Sequence, residues 1–128
     1  ILKRKGLKIG VFGLSPQLDG LVVKANYGPL KYMDPIACAQ KCVNELKKKK
    51  CDLIICISHL GLNIEGVSDE ELVAGTRGID LILGGHSHTF LNELAYVKNL
   101  DDKKIGIDQN GKSAIFVGKM VLDLEKKK

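Results

Sequence analysis

Apolar residues along this chain occur in short runs that alternate with amphipathic segments, which is the pattern of strands and helices in turn. Three of the runs are nearly continuous and as long as a strand, as expected of strands that are covered on both faces. They occupy residues 8–14, 51–57 and 79–83. Since a strand–helix–strand connection makes its two strands parallel, we expect an α/β fold with neighbouring parallel strands and crossover helices.

The helix between the first two of these strands has clear signals at its start. Asp34 is a good N-cap residue, and Pro35 suits the first helical position. Apolar residues then recur at helical spacing, which predicts a helix that runs to about Lys49. These apolar residues are Ile36, Ala39, Val43 and Leu46.

A second, shorter helix is predicted between the second and third strands. Ser68 and Glu71 form a capping box that starts this helix, and Gly78 is expected to end it. Residues 17–33 contain glycine and proline and are expected to be irregular, with a short extended piece at residues 21–23.

Beyond Thr89 the chain becomes more polar, and the expected strands become shorter. We predict them at residues 95–97, 104–107 and 113–124. Residues 108–111, Asp-Gln-Asn-Gly, are expected to form a hairpin turn between the last two strands.

Composition predicts one globular unit over residues 1–128, because 45% of the residues are hydrophobic and 27% are charged. The net charge of +5 comes largely from two lysine clusters, at residues 47–50 and 126–128. The first cluster lies at a predicted helix end, where the helix dipole favours cations. Only 5% of the residues are aromatic, which leaves no stacking platform for bases, so nucleic acid is not an expected partner.

The chain start and the cysteines say little about compartment. No apolar run has the length of a transmembrane helix, and no signal-peptide core follows the start, so we expect a removed leader or an internal piece of a longer polypeptide. None of the four cysteines has Cys-x-x-Cys spacing, and we expect small buried apolar side chains, with a disulfide or metal role as the alternative. They are Cys38, Cys42, Cys51 and Cys56.

The histidines are the candidate functional residues. The chain has three, and each follows a predicted buried strand: His59 follows the second strand, and His86 and His88 follow the third. The carboxyl ends of adjacent parallel strands are where open α/β sheets bind ligands, and imidazole is a common metal ligand. A single histidine at such a place is more often structural, but three together favour a metal site. In an extended segment His86 and His88 would face opposite sides, so they could serve two metal ions or curl around one.

The residues around these histidines resemble a known family. Residues 57–61, Ile-Ser-His-Leu-Gly, and residues 84–89, Gly-Gly-His-Ser-His-Thr, resemble the last two metal-binding motifs of calcineurin-like metallophosphoesterases. The resemblance is to the 5′-nucleotidase branch, which includes 2′,3′-cyclic-nucleotide phosphodiesterases and UDP-sugar hydrolases. It extends over most of residues 7–124, because the helix that starts at Asp34-Pro35 and the segment from Gly78 to Asp80 also match.

The resemblance implies a four-layer αββα sandwich, of which this chain would be half, and a site for two divalent metal ions. Carried over to this sequence, His59 and His86 would bind one ion and His88 the other. Zinc, manganese or iron would suit such ligands. The two ions would activate a water that attacks a phosphoester, with a nucleotide as the implied substrate. The substrate-binding residues are unknown.

The chain also departs from the family pattern. The earlier motifs are Asp-x-His, Gly-Asp with the bridging aspartate, and Gly-Asn-His with the acid histidine, and none of them occurs here. No catalytic residue is therefore expected in this chain. We expect the C-terminal portion of a metallophosphoesterase domain, whose partner is the N-terminal half, and which is inactive alone. We also expect this chain not to include the nucleoside-binding domain of larger 5′-nucleotidases.

Two other functional classes stay open. The first is a mononuclear zinc hydrolase with a three-histidine site at His59, His86 and His88. The second is a non-catalytic binding module on an α/β scaffold.

The 5′-nucleotidase branch is commonly exported, so we expect this protein to be located in the cell envelope or to be secreted. The unpaired cysteine pattern fits a cytoplasmic location as the alternative.

Overall fold

The structure is a computed structural model that describes residues 1–124. In this part of the chain, six strands form one sheet in the order β1-β2-β3-β4-β6-β5. The strands are β1 (Leu2–Arg4), β2 (Leu7–Leu14), β3 (Leu53–Ser58), β4 (Leu81–Leu83), β5 (Ala95–Lys98) and β6 (Lys104–Asp108). The helices are α1 (Lys24–Tyr27), α2 (Pro35–Lys48) and α3 (Asp69–Ala74). The chain therefore has a mixed α/β fold with few helices.

The four inner strands are parallel, and the two edge strands are antiparallel. Strand β3 pairs with β2 on one side and β4 on the other, and β6 lies beyond β4. The predicted adjacency of the three most apolar strands is confirmed. Because these strands run in the same direction, their carboxyl ends meet at one edge of the sheet.

The core lies on the sheet face that the helices cover. Cys56, Ile82 and Ile107 stand side by side on three neighbouring strands, and none of them is exposed. The fully buried Val43 of α2 and Leu72 of α3 belong to the same apolar cluster. This packing holds β3, β4 and β6 together below their carboxyl ends.

The helix starts are confirmed by their capping bonds. The Asp34 carboxylate accepts a hydrogen bond from the Ala37 amide at 2.6 Å, with Pro35 at the first helical position. At the start of α3, the Ser68 hydroxyl and the Glu71 carboxylate each bond to the other residue's backbone amide. Local side-chain chemistry therefore sets both starts.

Two predictions in the helical half are wrong. Helix α3 ends at Gly75, whose amide bonds back to Glu71, and Gly78 lies beyond it in a left-handed turn with φ of +77°. Residues 21–23 are not extended. The amides of Leu21 and Val22 both bond to the Leu18 carbonyl, which makes a turn.

Two predictions near the C-terminus are also wrong. Residues 113–124 form no strand, because Ser113 and Ala114 have left-handed backbones, with φ of +60° and +52°, that break an extended run. Residues 108–111 are not a hairpin turn. Instead, Asn110 forms an antiparallel bridge with Phe90, and the Gly111 amide donates to the Thr89 carbonyl.

Strand β1 was not predicted from the sequence. Lys5 and Gly6 have φ of +48° and +80°, the signs of a type I′ turn, and they fold β1 back onto β2.

The four cysteines are free thiols, with Cys56 buried and the other three partly buried. Within residues 1–124, no helix has the length and apolar character that would span a bilayer.

Candidate functional site at the carboxyl ends of the parallel strands

His59 and His86 lie together at the carboxyl ends of β3 and β4. Their rings are 5.2 Å apart between centres and are tilted by 65°. The His59 amide also donates to the Leu14 carbonyl at the end of β2, which ties the ends of β2 and β3 together. The structure therefore brings together two of the three predicted ligands, as the parallel topology requires.

The loop that carries His86 and His88 has an unusual backbone. His86 has φ of +74° and His88 has φ of +56°, both in the left-handed region. Such a conformation costs about 1 kcal/mol or more for each L-residue, although histidine is among the residues that adopt it more often. Strained residues persist only where their surroundings hold them, and they cluster at functional sites.

The two glycines before His86 allow the close approach of the strand ends. A Cβ atom on Gly85 would lie 3.0 Å from His59 Nδ1, and one on Gly84 would lie 2.6 Å from Asp69 Oδ2. Any larger residue at either position would push against the His59 ring or the Asp69 carboxyl group. The close packing of these two strand ends therefore requires glycine at both positions.

Gln109, at the carboxyl end of β6, contacts the same loop. Its side chain is 1% exposed, and its amide bonds to three residues of the loop. Nε2 donates to the Gly85 carbonyl at 2.9 Å, and Oε1 accepts from Ser87 Oγ at 3.0 Å and from the Thr89 amide at 2.6 Å. Gln109 was predicted to lie in a turn. Its position at this edge depends on the parallel pairing of β6 with β4, which no local sequence pattern shows.

Asp69 lies buried beneath the loop, as the first residue of α3. Its side chain has no exposure, and within residues 1–124 neither carboxylate oxygen makes a well-formed hydrogen bond. Burial raises the pKa of Asp69 to about 6, and the nearby charge of Glu70 adds to this, while the Ser58 hydroxyl offsets part of it. From the sequence alone, Asp69 looked only like an acidic residue in the first turn of a helix.

The 5.2 Å separation of the His59 and His86 rings fits two imidazoles that share one metal ion. Two imidazoles on one tetrahedral ion, with bonds of about 2.1 Å, have ring centres about 5 Å apart, which is close to the separation of this pair. Within residues 1–124, no three histidine, cysteine or acidic side chains converge on one point. His88 is exposed.

A cavity of about 340 Å³ opens beside His86. Tyr32 and Gln17 line it from the loop after β2, and Leu60 and Glu65 line it from the loop after His59. It provides an approach for a small molecule to His86.

Comparison with known proteins identifies relatives that act on phosphoesters. No family model matches the chain. It is 33% identical over 100 residues to the trifunctional nucleotide phosphoesterase protein YfkN of Bacillus subtilis, a match that covers 77% of this chain and 6% of that protein. It is 39% identical over 97 residues to a 5′-nucleotidase of Vibrio cholerae, a match that covers 68% of this chain and 18% of that protein.

Solved structures agree with the sequence matches. A 5′-nucleotidase precursor from Thermus thermophilus superposes with a TM-score of 0.72 and 31% identity, over 82% of this chain and 22% of that one. An NAD nucleotidase from Haemophilus influenzae, at 24% identity, shares the fold with a TM-score of 0.69.

The chain is thus related to nucleotide phosphoesterases. More narrowly, it is homologous to the 5′-nucleotidase and 2′,3′-cyclic phosphodiesterase family over a short portion of those proteins. It spans between 6% and 18% of the length of the first curated relatives that it matches.

Proposed function

We propose that this chain is part of a phosphoester hydrolase that uses two metal ions and acts on nucleotides. The observation that carries the proposal is the pairing of His59 with His86, 5.2 Å apart, at adjacent strand ends of a segment homologous to nucleotide phosphoesterases. A Haemophilus influenzae relative, 32% identical, is a 2′,3′-cyclic-nucleotide 2′-phosphodiesterase/3′-nucleotidase, which supports a nucleotide substrate.

In this proposal His59 and His86 bind one divalent ion, and His88 binds the second. Zinc, manganese and iron are the candidate ions, because neutral imidazole binds each of them. When bound, such ions clamp a phosphate and supply an activated water. The chain's own residues hold the imidazoles in place. Because protons compete with metal ions for imidazole nitrogens, ion binding is expected to weaken as the pH falls.

We propose that the remaining ligands and the acid histidine come from an N-terminal part of the same domain. This chain matches only 6% and 18% of the length of two relatives, which supports the proposal that a further part of the domain exists. The chain contains no Asp-x-His or Gly-Asn-His motif, so it lacks the family's acid histidine. This 128-residue chain alone is therefore expected to be inactive.

The open face of the sheet supports a second layer in the complete domain. Ile57, Leu83 and Tyr96 lie on the face opposite the helices and are 54%, 37% and 61% exposed. Sheets with inner parallel strands are normally covered on both faces. A second sheet from the N-terminal part would cover these side chains and complete a four-layer αββα sandwich.

We also propose export to the cell envelope or secretion. The support is the resemblance to an exported branch, and the Thermus thermophilus relative is described as a precursor. A signal peptide encoded upstream in the same reading frame would agree with this location, and its absence from the full reading frame would contradict it.

Activity measurements test the proposed function. A longer polypeptide that includes the N-terminal part should hydrolyse nucleoside monophosphates or 2′,3′-cyclic nucleotides in the presence of Mn²⁺ or Zn²⁺. In that protein, His86→Ala should lower the rate by about 100-fold or more, because one metal position is lost. The exposed helix substitution Lys41→Ala is the matched control and should leave the rate unchanged.

Two results would contradict the proposal. Metal-dependent turnover by the 128-residue chain alone would show that the site is complete without a partner. An unchanged rate for His86→Ala in the longer polypeptide would remove the histidine pair from the chemistry and favour a non-catalytic module.

A further inference from the structure

We propose that Gln109 is a positioning residue for the metal-binding loop, and that its side-chain amide holds residues 84–89 in the conformation that presents His86 and His88. This inference deepens the proposed function and rests on it for the metal, but the contact of Gln109 with the loop can be tested without any metal.

The first support is the placement of the three bonds that Gln109 makes. Its partners are Gly85, Ser87 and Thr89, so they alternate along the chain with the two histidines. A single buried amide therefore holds the backbone before His86 and after His88, and the Ser87 side chain between them. The amide is rigid and planar, so its carbonyl and NH₂ groups set the spacing of their partners.

The second support is the conformation that the loop must keep. His86 and His88 both have left-handed backbones, and residues in this region relax unless neighbouring contacts hold them. The residues between and beside the histidines are held by Gln109. Without the amide, the Gly85 carbonyl and the Thr89 amide would lose a buried partner, which favours rearrangement of the loop.

The third support is that the network reaches the other histidine segment. Ser87 Oγ donates to Gln109 and accepts a hydrogen bond at 3.0 Å from the amide of Leu62, three residues after His59. Gln109 and Ser87 thus connect β6, the loop after β4 and the loop after β3. A change at Gln109 is expected to move the His86 ring relative to the His59 ring.

The chain provides a matched control in Gln40 of α2. Its amide also makes three bonds, to Asn44 Oδ1 and to the carbonyl and amide of Arg77, and it touches neither histidine segment. Gln40→Met and Gln109→Met remove the same chemical group and keep a similar length and volume. Loss of the Gln109 amide should change the position of the histidine loop, whereas loss of the Gln40 amide, whose bonds are exposed, should not.

The experiment measures hydrogen exchange of the Thr89 amide by NMR and Zn²⁺ affinity by calorimetry, on the same 128-residue chain. In Gln109→Met, the Thr89 amide should exchange roughly tenfold faster because its acceptor is gone. Zn²⁺ affinity should also fall by roughly tenfold or more, because loss of a residue that orients a metal ligand usually weakens metal binding by that amount. In Gln40→Met, both quantities should stay within about twofold of the original chain.

Unchanged Thr89 exchange in Gln109→Met would overturn the proposal, as would an equal loss of Zn²⁺ affinity in both variants. If the original chain binds no Zn²⁺, the metal part of the proposed function fails, and the exchange comparison alone decides the role of Gln109. If Gln109→Met does not fold, Gln109→Glu replaces it, because Glu keeps the acceptor for Thr89 and loses the donor to Gly85. The imidazole NMR signals of His86 should then shift, and unshifted signals would overturn the proposal.

Discussion

Two buried polar side chains border the histidine loop, and they differ in how well they are satisfied. Gln109 uses both ends of its amide, whereas Asp69 has no well-formed hydrogen bond within residues 1–124. A buried carboxylate without partners destabilises the folded chain, and its protonation relieves part of this cost. This cost raises the pKa of Asp69 to about 6.

The pKa of Asp69 predicts a pH-dependent stability. Because this pKa is higher in the folded chain than in the unfolded chain, the folded chain binds the proton more tightly. Stability is therefore highest below about pH 4 for this group and decreases as the pH rises through about 6. Asp69→Asn should remove the decrease and stabilise the chain by about 3 kcal/mol more at pH 8 than at pH 4. Urea unfolding at both pH values measures the difference.

Asp102→Asn is the control for this prediction. The Asp102 side chain is 80% exposed, and its left-handed backbone, with φ of +59°, accepts asparagine easily. Its substitution removes an exposed ion pair with Lys98 and should change stability by less than about 1 kcal/mol at either pH. If Asp69→Asn has the same effect at pH 4 and pH 8, the buried carboxyl group does not titrate as described.

At the level of elements, the predictions succeeded for the two helix starts and for the order of the buried strands, whereas the predicted end of α3 at Gly78 and the predicted turn at residues 108–111 were wrong. Asp34 and Ser68 marked helix starts because capping is a bond between neighbours in sequence. The parallel order of β2, β3 and β4 followed from the strand–helix–strand pattern of the sequence. The role of Gln109 and the irregular path of residues 113–124 depend on contacts between distant segments, which no local pattern shows.

The N-cap of α2 can be tested by a pair of substitutions. Asp34→Ala removes the acceptor of the Ala37 amide and should lower the free energy of unfolding by about 1 kcal/mol. Asp34→Asn keeps a capping oxygen and should cost only a few tenths of that value. Urea denaturation measures both, and equal losses would show that the charge of Asp34, not its capping bond, supports the helix.

At the level of the whole molecule, the two faces of the sheet are unequal. The helix face is filled by side chains with almost no exposure, whereas the opposite face presents Ile57 and Tyr96 to solvent. An exposed apolar patch of this kind marks an interaction surface. The proposed N-terminal part of the domain gives this surface a partner and places its own ligands beside the histidine loop.

The effect of a charge at Ile57 on stability should differ between the chain alone and the complete domain. In the 128-residue chain, Ile57→Glu should change the free energy of unfolding by less than about 1 kcal/mol, because Ile57 is already 54% exposed. In the longer polypeptide, the same change would bury a charge and should cost about 3 kcal/mol or more. Urea unfolding of both proteins makes the comparison.

Leu100→Glu is the control, because Leu100 is 49% exposed but lies in the turn between β5 and β6. It should cost little in either protein. If Ile57→Glu costs equally little in the longer polypeptide, the open face is not covered by the N-terminal part.

The two antiparallel edge strands have a consequence for solubility. An open sheet edge is a template on which other chains can add strands and aggregate. Here the edges are short, with three residues in β1 and four in β5, and they carry the cations Lys3, Arg4 and Lys98. Like charges would face each other if two edges met. The chain is therefore protected at its margins against growth into fibrils, even while one broad face of its sheet stays apolar.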